Sequence, residues 1–195
     1  MKIVCITGGI GSGKTTVANM FSSFGIPVYV ADEESKKLLG TSKIIRKKLS
    51  VLLGEKAYVG NKPNKPFIAD KIFNNPVLLS QMNAIVHPKV KQHFNKWFKK
   101  QNAPYIIRES AILFESGTDK DCNIILSVTA SEDTRISRVL ERDSTTEDKI
   151  RAIMKNQLGD EEKIKRSHYV IVNENIEETK QQVAEIHHKI LLSGD

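Results

Sequence analysis

Cysteine is close to absent from this chain: Cys5 lies inside one short apolar run, Cys122 heads another, and there is no third. Neither their number nor their spacing builds a metal site or a disulfide framework, so the expectation is two reduced thiols in a cytoplasmic protein. Long apolar runs are missing too, which excludes a segment able to cross a bilayer. The residues after Met1 lead straight into a first strand and leave no room for a secretory signal. Aromatic residues are only 6% of the 195. The basic clusters Arg46-Lys47-Lys48 and Lys96–Lys100 lack the alternating basic and aromatic pattern of a single-strand nucleic-acid platform and read as solvated helix faces. Internal repeats and low-complexity tracts are absent. So is the Asn-Lys-x-Asp segment of a regulatory GTPase: Asn61-Lys62 and Asn64-Lys65 have no acid two residues on.

What is present begins with length and charge. At 195 residues, one α/β domain with an inserted or appended subdomain is the natural organisation. A net charge of +7, from 30 basic and 23 acidic residues, suits an anionic ligand.

The strongest signal is Gly8-Gly9-Ile10-Gly11-Ser12-Gly13-Lys14-Thr15, directly after the apolar run Ile3–Ile6. It fits the phosphate loop of nucleoside-triphosphate binders. Glycines let the backbone curl until several N–H groups converge on one point, where the positive end of the next helix and the Lys14 ammonium also act on phosphate oxygens. The Thr15 hydroxyl suits Mg²⁺, a hard cation that takes oxygen ligands.

Further short β-branched runs occur at Val28–Val30, Tyr105–Ile107, Asn123–Val128 and Tyr169–Val172, separated by helical patterns. Together with Ile3–Ile6 they predict a parallel five-stranded sheet covered on both faces. The stretch Val17–Phe24 supplies the first crossover helix, ended by Gly25. Thr129 with Glu132, and Asn175 with Glu178, have capping-box spacing and open two later helices. His187 and His188 lie beside the apolar stripe of the last helix and read as surface residues. Residues 35–103 hold no convincing strand. They comprise Lys43–Leu53, a loop from Gly60 to Pro66, and two helical stretches, Pro76–Val86 and Pro88–Lys99, with His87 at a helix end. Val90, Phe94, Trp97 and Phe98 repeat at helical spacing as the core of this insertion.

Beyond the phosphate loop, three groups of residues carry the expected chemistry. Asp32 follows the second strand, at the carboxyl end of the sheet where open α/β sheets bind ligands, and can orient a hydroxyl and accept its proton. Its alternative is the N-cap of a helix over Glu33–Leu39. Arg135, Arg138 and Arg142 fall on one helix face that can close on phosphates, with Arg138 and Arg142 the functional choices. The competing reading is ion pairs with Glu132, Glu141 and Asp143. Glu109 stands at a strand end beside the expected magnesium shell, or pairs with Arg108.

The run Thr7–Ala18 resembles the phosphate-loop signature of the dephospho-CoA kinases, and the landmarks continue in order along nearly the whole chain. Asp32 is similar to the second acid of that family's Asp-Ala-Asp. Ile72-Phe73, His87-Pro88 and Ile112-Leu113-Phe114-Glu115 follow, then Arg138 and Arg142, and finally Gln157 and Asn173 near the adenine site. Departures are Val30 in place of the first acid, Ala111 in place of a proline, Asn175 where glycine is common, and Lys65 as the nearest counterpart of an arginine in the insertion. The resemblance implies a nucleoside-monophosphate-kinase-like α/β fold. Its phosphate-loop core spans residues 1–34 and 104–195, with a lid near 135–165 and an inserted helical acceptor (CoA) subdomain over 35–103. It further implies ATP and Mg²⁺ as cofactors and transfer of the γ-phosphoryl group to the 3′-hydroxyl of dephospho-CoA. Gly9, Ile10, Gly11, Ser12, Gly13, Lys14, Thr15, Thr16 and Asn173 would bind nucleotide, and Thr15 and Glu109 would serve the metal. Asp32, Lys65, His87 and Glu115 would serve the acceptor, and Lys14, Asp32, Arg138 and Arg142 the catalysis. A monomer or small homo-oligomer acting on small molecules is expected, without nucleic acid or membrane partners. The alternatives are another small-molecule kinase of this fold or a nucleic-acid-binding ATPase.

Overall fold

The computed structural model describes residues 1–73 and 75–193. Contacts divide the chain into a unit of Met1–Val30 with Gln101–Asp195 and a unit of Ala31–Lys100.

The first unit is built on a parallel sheet of β1 (Lys2–Thr7), β2 (Val28–Val30), β5 (Tyr105–Glu109), β6 (Ile124–Thr129) and β7 (Tyr169–Val172), in the order β2-β5-β1-β6-β7. All five predicted strands are present. Strand side chains alternate between faces, and the core follows that alternation. Val4 and Ile6 of β1 pack with Val17, Ala18 and Phe21 of α1 (Lys14–Ser23) and with Val183, Ile186 and Ile190 of α9 (Ile176–Leu192). Cys5 faces the other way, against Leu113, Phe114 and Ile125. The shortest of these strands, β2, follows α1 after the turn at Gly25, whose φ of 77° lies in the left-handed region that glycine tolerates.

Several expectations are corrected here. Cys5 and Cys122 are joined in a disulfide with Cα atoms 5.8 Å apart, not held as two thiols. The sequence hides this because the sheet register, not the spacing along the chain, brings the end of one connection beside β1. The cap of α6 (Glu132–Arg142) is Ser131, whose hydroxyl accepts from Thr134 N at 3.3 Å. Thr129 stays in β6, opposite Val172, and its hydroxyl donates to Asp160. The Asn175 cap of α9 is present, accepting from Glu177 N and Glu178 N. His188 is exposed and His187 partly so, but the His187 ring is also fixed, stacked on Phe24 with ring centroids 4.6 Å apart and 2.5 Å from the Tyr105 hydroxyl.

The second unit contains α2 (Ala31–Thr41), α3 (Lys43–Leu53), a hairpin of β3 (Tyr58–Val59) and β4 (Lys62–Pro63), α4 (Lys65–Phe73) and α5 (Pro76–Phe98). Ile45, Leu49 and Leu53 of α3 are buried, as are Val86, Val90 and Phe94 of α5, so period-3.6 stripes make this core. The hairpin was not foreseen because two residues per strand carry no alternation, and α4 begins inside the presumed loop. Proline in a first helical turn loses no helix bond, so Pro66 does not stop α4. The two expected helices around His87 are one: α5 runs through Pro88. Proline removes the bond to the carbonyl of Ala84, but both residues are exposed, so water can satisfy that carbonyl while the buried stripe continues.

Burial holds both His87 and His187 below the usual histidine range, with His188 adding to the effect at His187. The unfolded chain keeps the ordinary value, so in acid it binds more protons than the native state and stability falls as pH drops through the lowered values. Calorimetry is therefore expected to show Tm falling from about pH 7.5 to about pH 5.5. The fall should be shallower in His87→Gln, and an unchanged slope would remove His87 from this account.

Candidate active site

The loop between β1 and α1 owes its shape to three glycines with positive φ: Gly8 at 151°, Gly11 at 78° and Gly13 at 88°. Gly13 is the N-cap of α1, so no side chain caps that helix, and its first turn carries no acid. The first intrahelical bond runs from Val17 N to Gly13 O at 3.0 Å. Amides ahead of it have no carbonyl four residues back and, with the helix dipole, form an anion-binding end. Lys14 Nζ lies 3.1 Å from Gly9 O, folded over the loop, while Thr15 and Thr16 are exposed. Two hydroxyls at the loop, Thr7 Oγ1 and Ser12 Oγ, are buried without a hydrogen-bond partner among the described residues. Buried polar atoms without partners need an explanation, and these two lie just before and within the glycine loop.

Three segments from the second half of the chain brace this loop. Arg135, 8% exposed, donates from Nε to Ile10 O at 3.1 Å and pairs through Nη1 with Asp160. Gln157 Oε1 accepts from Ile10 N at 2.9 Å. The Ile10 side chain meanwhile packs against Ile136, Val139 and Ile150 of α6 and α7 (Glu147–Lys155). Asn173 Nδ2 donates to Ser12 O at 2.8 Å, and its Oδ1 accepts from Thr179 at 3.0 Å. Both ends of the Asn173 amide are thus committed, one to the loop and one to α9. Arg138 Nη1 reaches the Asn173 carbonyl at 2.8 Å.

The other candidates fall as follows. Glu109 ends β5, is 3% exposed, and stands in register with Ile6 of β1 and Val30 of β2. Arg142 donates to both carboxylate oxygens of its neighbour Asp143, from Nε at 3.0 Å and from Nη2 at 2.7 Å. At 65% exposure that pair is worth little and yields readily to a stronger anion. Glu115 Oε1 accepts from Leu158 N at 2.8 Å and lies 3.6 Å from Lys163 Nζ, so its nearest groups belong to the protein. Asp32, Lys65 and His87 belong to the second unit: Asp32 is the second residue of α2 rather than its N-cap, Lys65 opens α4 at the surface, and His87 is half-buried midway along α5.

Arg135 braces the loop although the sequence favours Arg138 and Arg142 on that face, and Asp160, Lys163 and Thr179 take part although nothing in the sequence singles them out. Arg135 had a signal, since its spacing puts it on the same helix face. The other three had none, because their partners lie 25 or more residues away or in a different element.

Known proteins bear on the same residues. The family model described as dephospho-CoA kinase matches residues 2–178. A dephospho-CoA kinase of Bacteroides fragilis is 41% identical over 182 residues, 93% of this chain and 89% of that protein. One of Mannheimia succiniciproducens is 31% identical over 97% of this chain and 91% of its own length. Among solved structures, TT1252 from Thermus thermophilus superposes with a TM-score of 0.89 at 30% identity, covering 99% of this chain and 98% of that one. A dephospho-CoA kinase from Campylobacter jejuni, 20% identical with a TM-score of 0.69 over 96% of each chain, shares the fold. With the family match spanning the phosphate loop, the braces from α6 to Asn173 and the inserted helices alike, this chain belongs to the dephospho-CoA kinase family.

Proposed function

We propose that this protein transfers the γ-phosphoryl group of ATP to the ribose 3′-hydroxyl of dephospho-CoA, giving CoA and ADP, the last step of coenzyme A synthesis. The observation that carries the reading is the uncapped, glycine-shaped N-terminus of α1 with Lys14 folded over it, in a chain of this family. Lys14 and the loop amides hold the β- and γ-phosphates. The 3′-oxygen attacks the γ-phosphorus as the bond to the bridging β-oxygen breaks, the electron pair leaves with ADP, and Asp32 takes the hydroxyl proton. Arg138 and Arg142 neutralise charge on the transferring group and, on a closing segment, help exclude water.

Mg²⁺ fits the donor set. No cluster of three His, Cys, Asp or Glu is found among the described residues, and magnesium takes few protein ligands, completing its shell with phosphate and water oxygens. The exposed Thr15 hydroxyl would hold it, with Glu109 acting through water. When bound, the ion withdraws charge from the phosphate oxygens.

The partners in this reading are two small molecules, without nucleic acid or membrane. No helix among the described residues is long and apolar enough to cross a membrane. In this reading the enzyme works in the cytoplasm, where its cosubstrate ATP is supplied and where the Cys5–Cys122 bridge would face a reducing thiol pool. Thiol titration of protein denatured directly from cells reports its state there.

The test is ADP release with ATP and Mg²⁺, with and without dephospho-CoA, followed by mass spectrometry of the product. Acceptor-dependent release with CoA formed supports the proposal. Folded protein that binds ATP but ignores the acceptor overturns it and directs the search to other alcohols.

A further inference from the structure

Ile10 is gripped on both sides of its backbone, its N–H by Gln157 and its carbonyl by Arg135. Both grips depend on groups standing behind them. Arg135 is oriented by Asp160, which also receives the Thr129 hydroxyl at 3.1 Å. Gln157 is followed by Leu158, whose N–H is taken by Glu115 and whose side chain packs against Cys5, Leu113, Phe114 and Ile125. Glu115 is in turn fixed on two sides. Its neighbours Leu113 and Phe114 are buried against the sheet, and Arg166 lies over the Phe114 ring at 4.5 Å. Opposite its carboxylate is Lys163, 1% exposed, whose Nζ has no hydrogen-bond partner among the described residues and has Glu115 3.6 Å away.

A buried ammonium with no hydrogen bond is costly. Burial pulls Lys163 below the usual lysine range, while Glu115 and Asp160 oppose the shift. Lys163 and Asp160 belong to the same short helix α8 (Asp160–Lys165), so one element meets both grips on the loop.

We infer that Glu115 and Lys163 are positioning residues for the phosphate loop, acting through Leu158 and Gln157 on the Ile10 amide. Glu115 therefore serves the nucleotide side of the reaction, not the acceptor side. The relay is Lys163 to Glu115 by charge, Glu115 to Leu158 N by hydrogen bond, and Gln157 to Ile10 N by hydrogen bond. Its consequence is that ATP affinity depends on a carboxylate that touches no part of the loop.

The inference rests on the ATP-binding half of the proposed function and is tested without the acceptor. Calorimetric titration with ATP and Mg²⁺ alone compares the wild type with Glu115→Ala, Glu115→Gln, Gln157→Ala and the Glu115→Ala/Gln157→Ala pair. Glu115→Ala is expected to weaken ATP binding about fivefold and Gln157→Ala about tenfold. The double variant should be no more than about twofold weaker than Gln157→Ala, because residues in one relay are not additive. Glu115→Gln keeps an oxygen for the Leu158 N–H but loses the charge that Lys163 faces, so it should bind ATP more tightly than Glu115→Ala and less tightly than the wild type.

A purely structural role would lower Tm in every variant but leave the two substitutions additive in ATP affinity. That result, or a Glu115→Ala variant binding ATP as the wild type does, overturns the inference. If Glu115→Ala does not fold, Lys163→Met removes the ammonium while keeping the volume, and it must show the same non-additivity with Gln157→Ala. Failure of dephospho-CoA to accept phosphate would sink the proposed reaction and leave these titrations intact.

Discussion

Asp32→Asn is expected to lower kcat by about 10²–10⁴-fold, the usual worth of a positioned general base, with KM for ATP and dephospho-CoA little changed. Asparagine keeps the size of the side chain and can still orient a hydroxyl through its amide oxygen, but it cannot take the proton. Asp32 is the second residue of α2, only partly exposed, in a first turn that also carries Glu33 and Glu34. A carboxylate there interacts favourably with the helix dipole by about 0.3–1 kcal/mol. The substitution therefore moves Tm by no more than about 4 °C, since about 1 kcal/mol shifts a chain of this size by roughly 2–4 °C. A variant with normal turnover and a slightly lowered Tm would show that Asp32 serves only the helix. Steady-state kinetics beside a thermal melt separate the outcomes, and a kcat change without a Tm change assigns the proton.

Gly13→Ala is expected to do more damage by a different route. At φ 88° an L residue is strained by about 1–2 kcal/mol. A methyl group at this position would also run into the Asn173 side-chain amide. Asn173 has nowhere inexpensive to go, since it is 4% exposed and bonded at once to Ser12 O and to the Thr179 hydroxyl. Displacing it leaves buried polar groups unpaired, at about 1–3 kcal/mol each. With even one such group left unpaired, strain and desolvation together lower stability by roughly 2–5 kcal/mol and Tm by about 4–20 °C. ATP affinity should fall at least about 100-fold, because the amides that face the phosphates no longer converge. The measurements are differential scanning calorimetry and ATP titration on the same sample. A variant with wild-type Tm and ATP affinity would mean that the loop does not hold phosphate in the shape described here.

Gly25→Ala is the informative contrast. Its φ of 77° is similarly left-handed, but among the described residues, its chain neighbours aside, no atom lies within 4 Å of a methyl group there. Strain alone should then cost about 1 kcal/mol without touching ATP binding. The comparison separates the conformational demand on a glycine from the close approach of a neighbour.

The sequence by itself determined the five strands, the phosphate loop and the helix ends at Gly25 and Asn175. Each is written in local chemistry: β-branched runs, glycines that tolerate left-handed backbone, a side chain that caps its own helix. Such signals need only neighbours within about four residues. It also marked the arginine face of α6, because a helix's period converts spacing into geometry. The α5 helix shows the limit of that local logic, since Pro88 signals a break that exposure at Ala84 and Pro88 made unnecessary.

Only the tertiary structure decided which residues brace the loop. Arg135, Gln157 and Asn173 lie 125, 147 and 161 positions from their partners Ile10, Ile10 and Ser12, and no pattern along the chain joins them. The same holds for the Cys5–Cys122 bridge, for the buried Lys163 beside Glu115, and for Glu109, which the register sets beside Val30 where the resemblance leads one to expect an acid. Parallel strands joined by long crossovers bring distant segments to one edge of the sheet. Contacts made there depend on register and helix docking, which are properties of the folded chain, whereas the loop's own ability to hold phosphate is written in eight consecutive residues, Gly8 to Thr15.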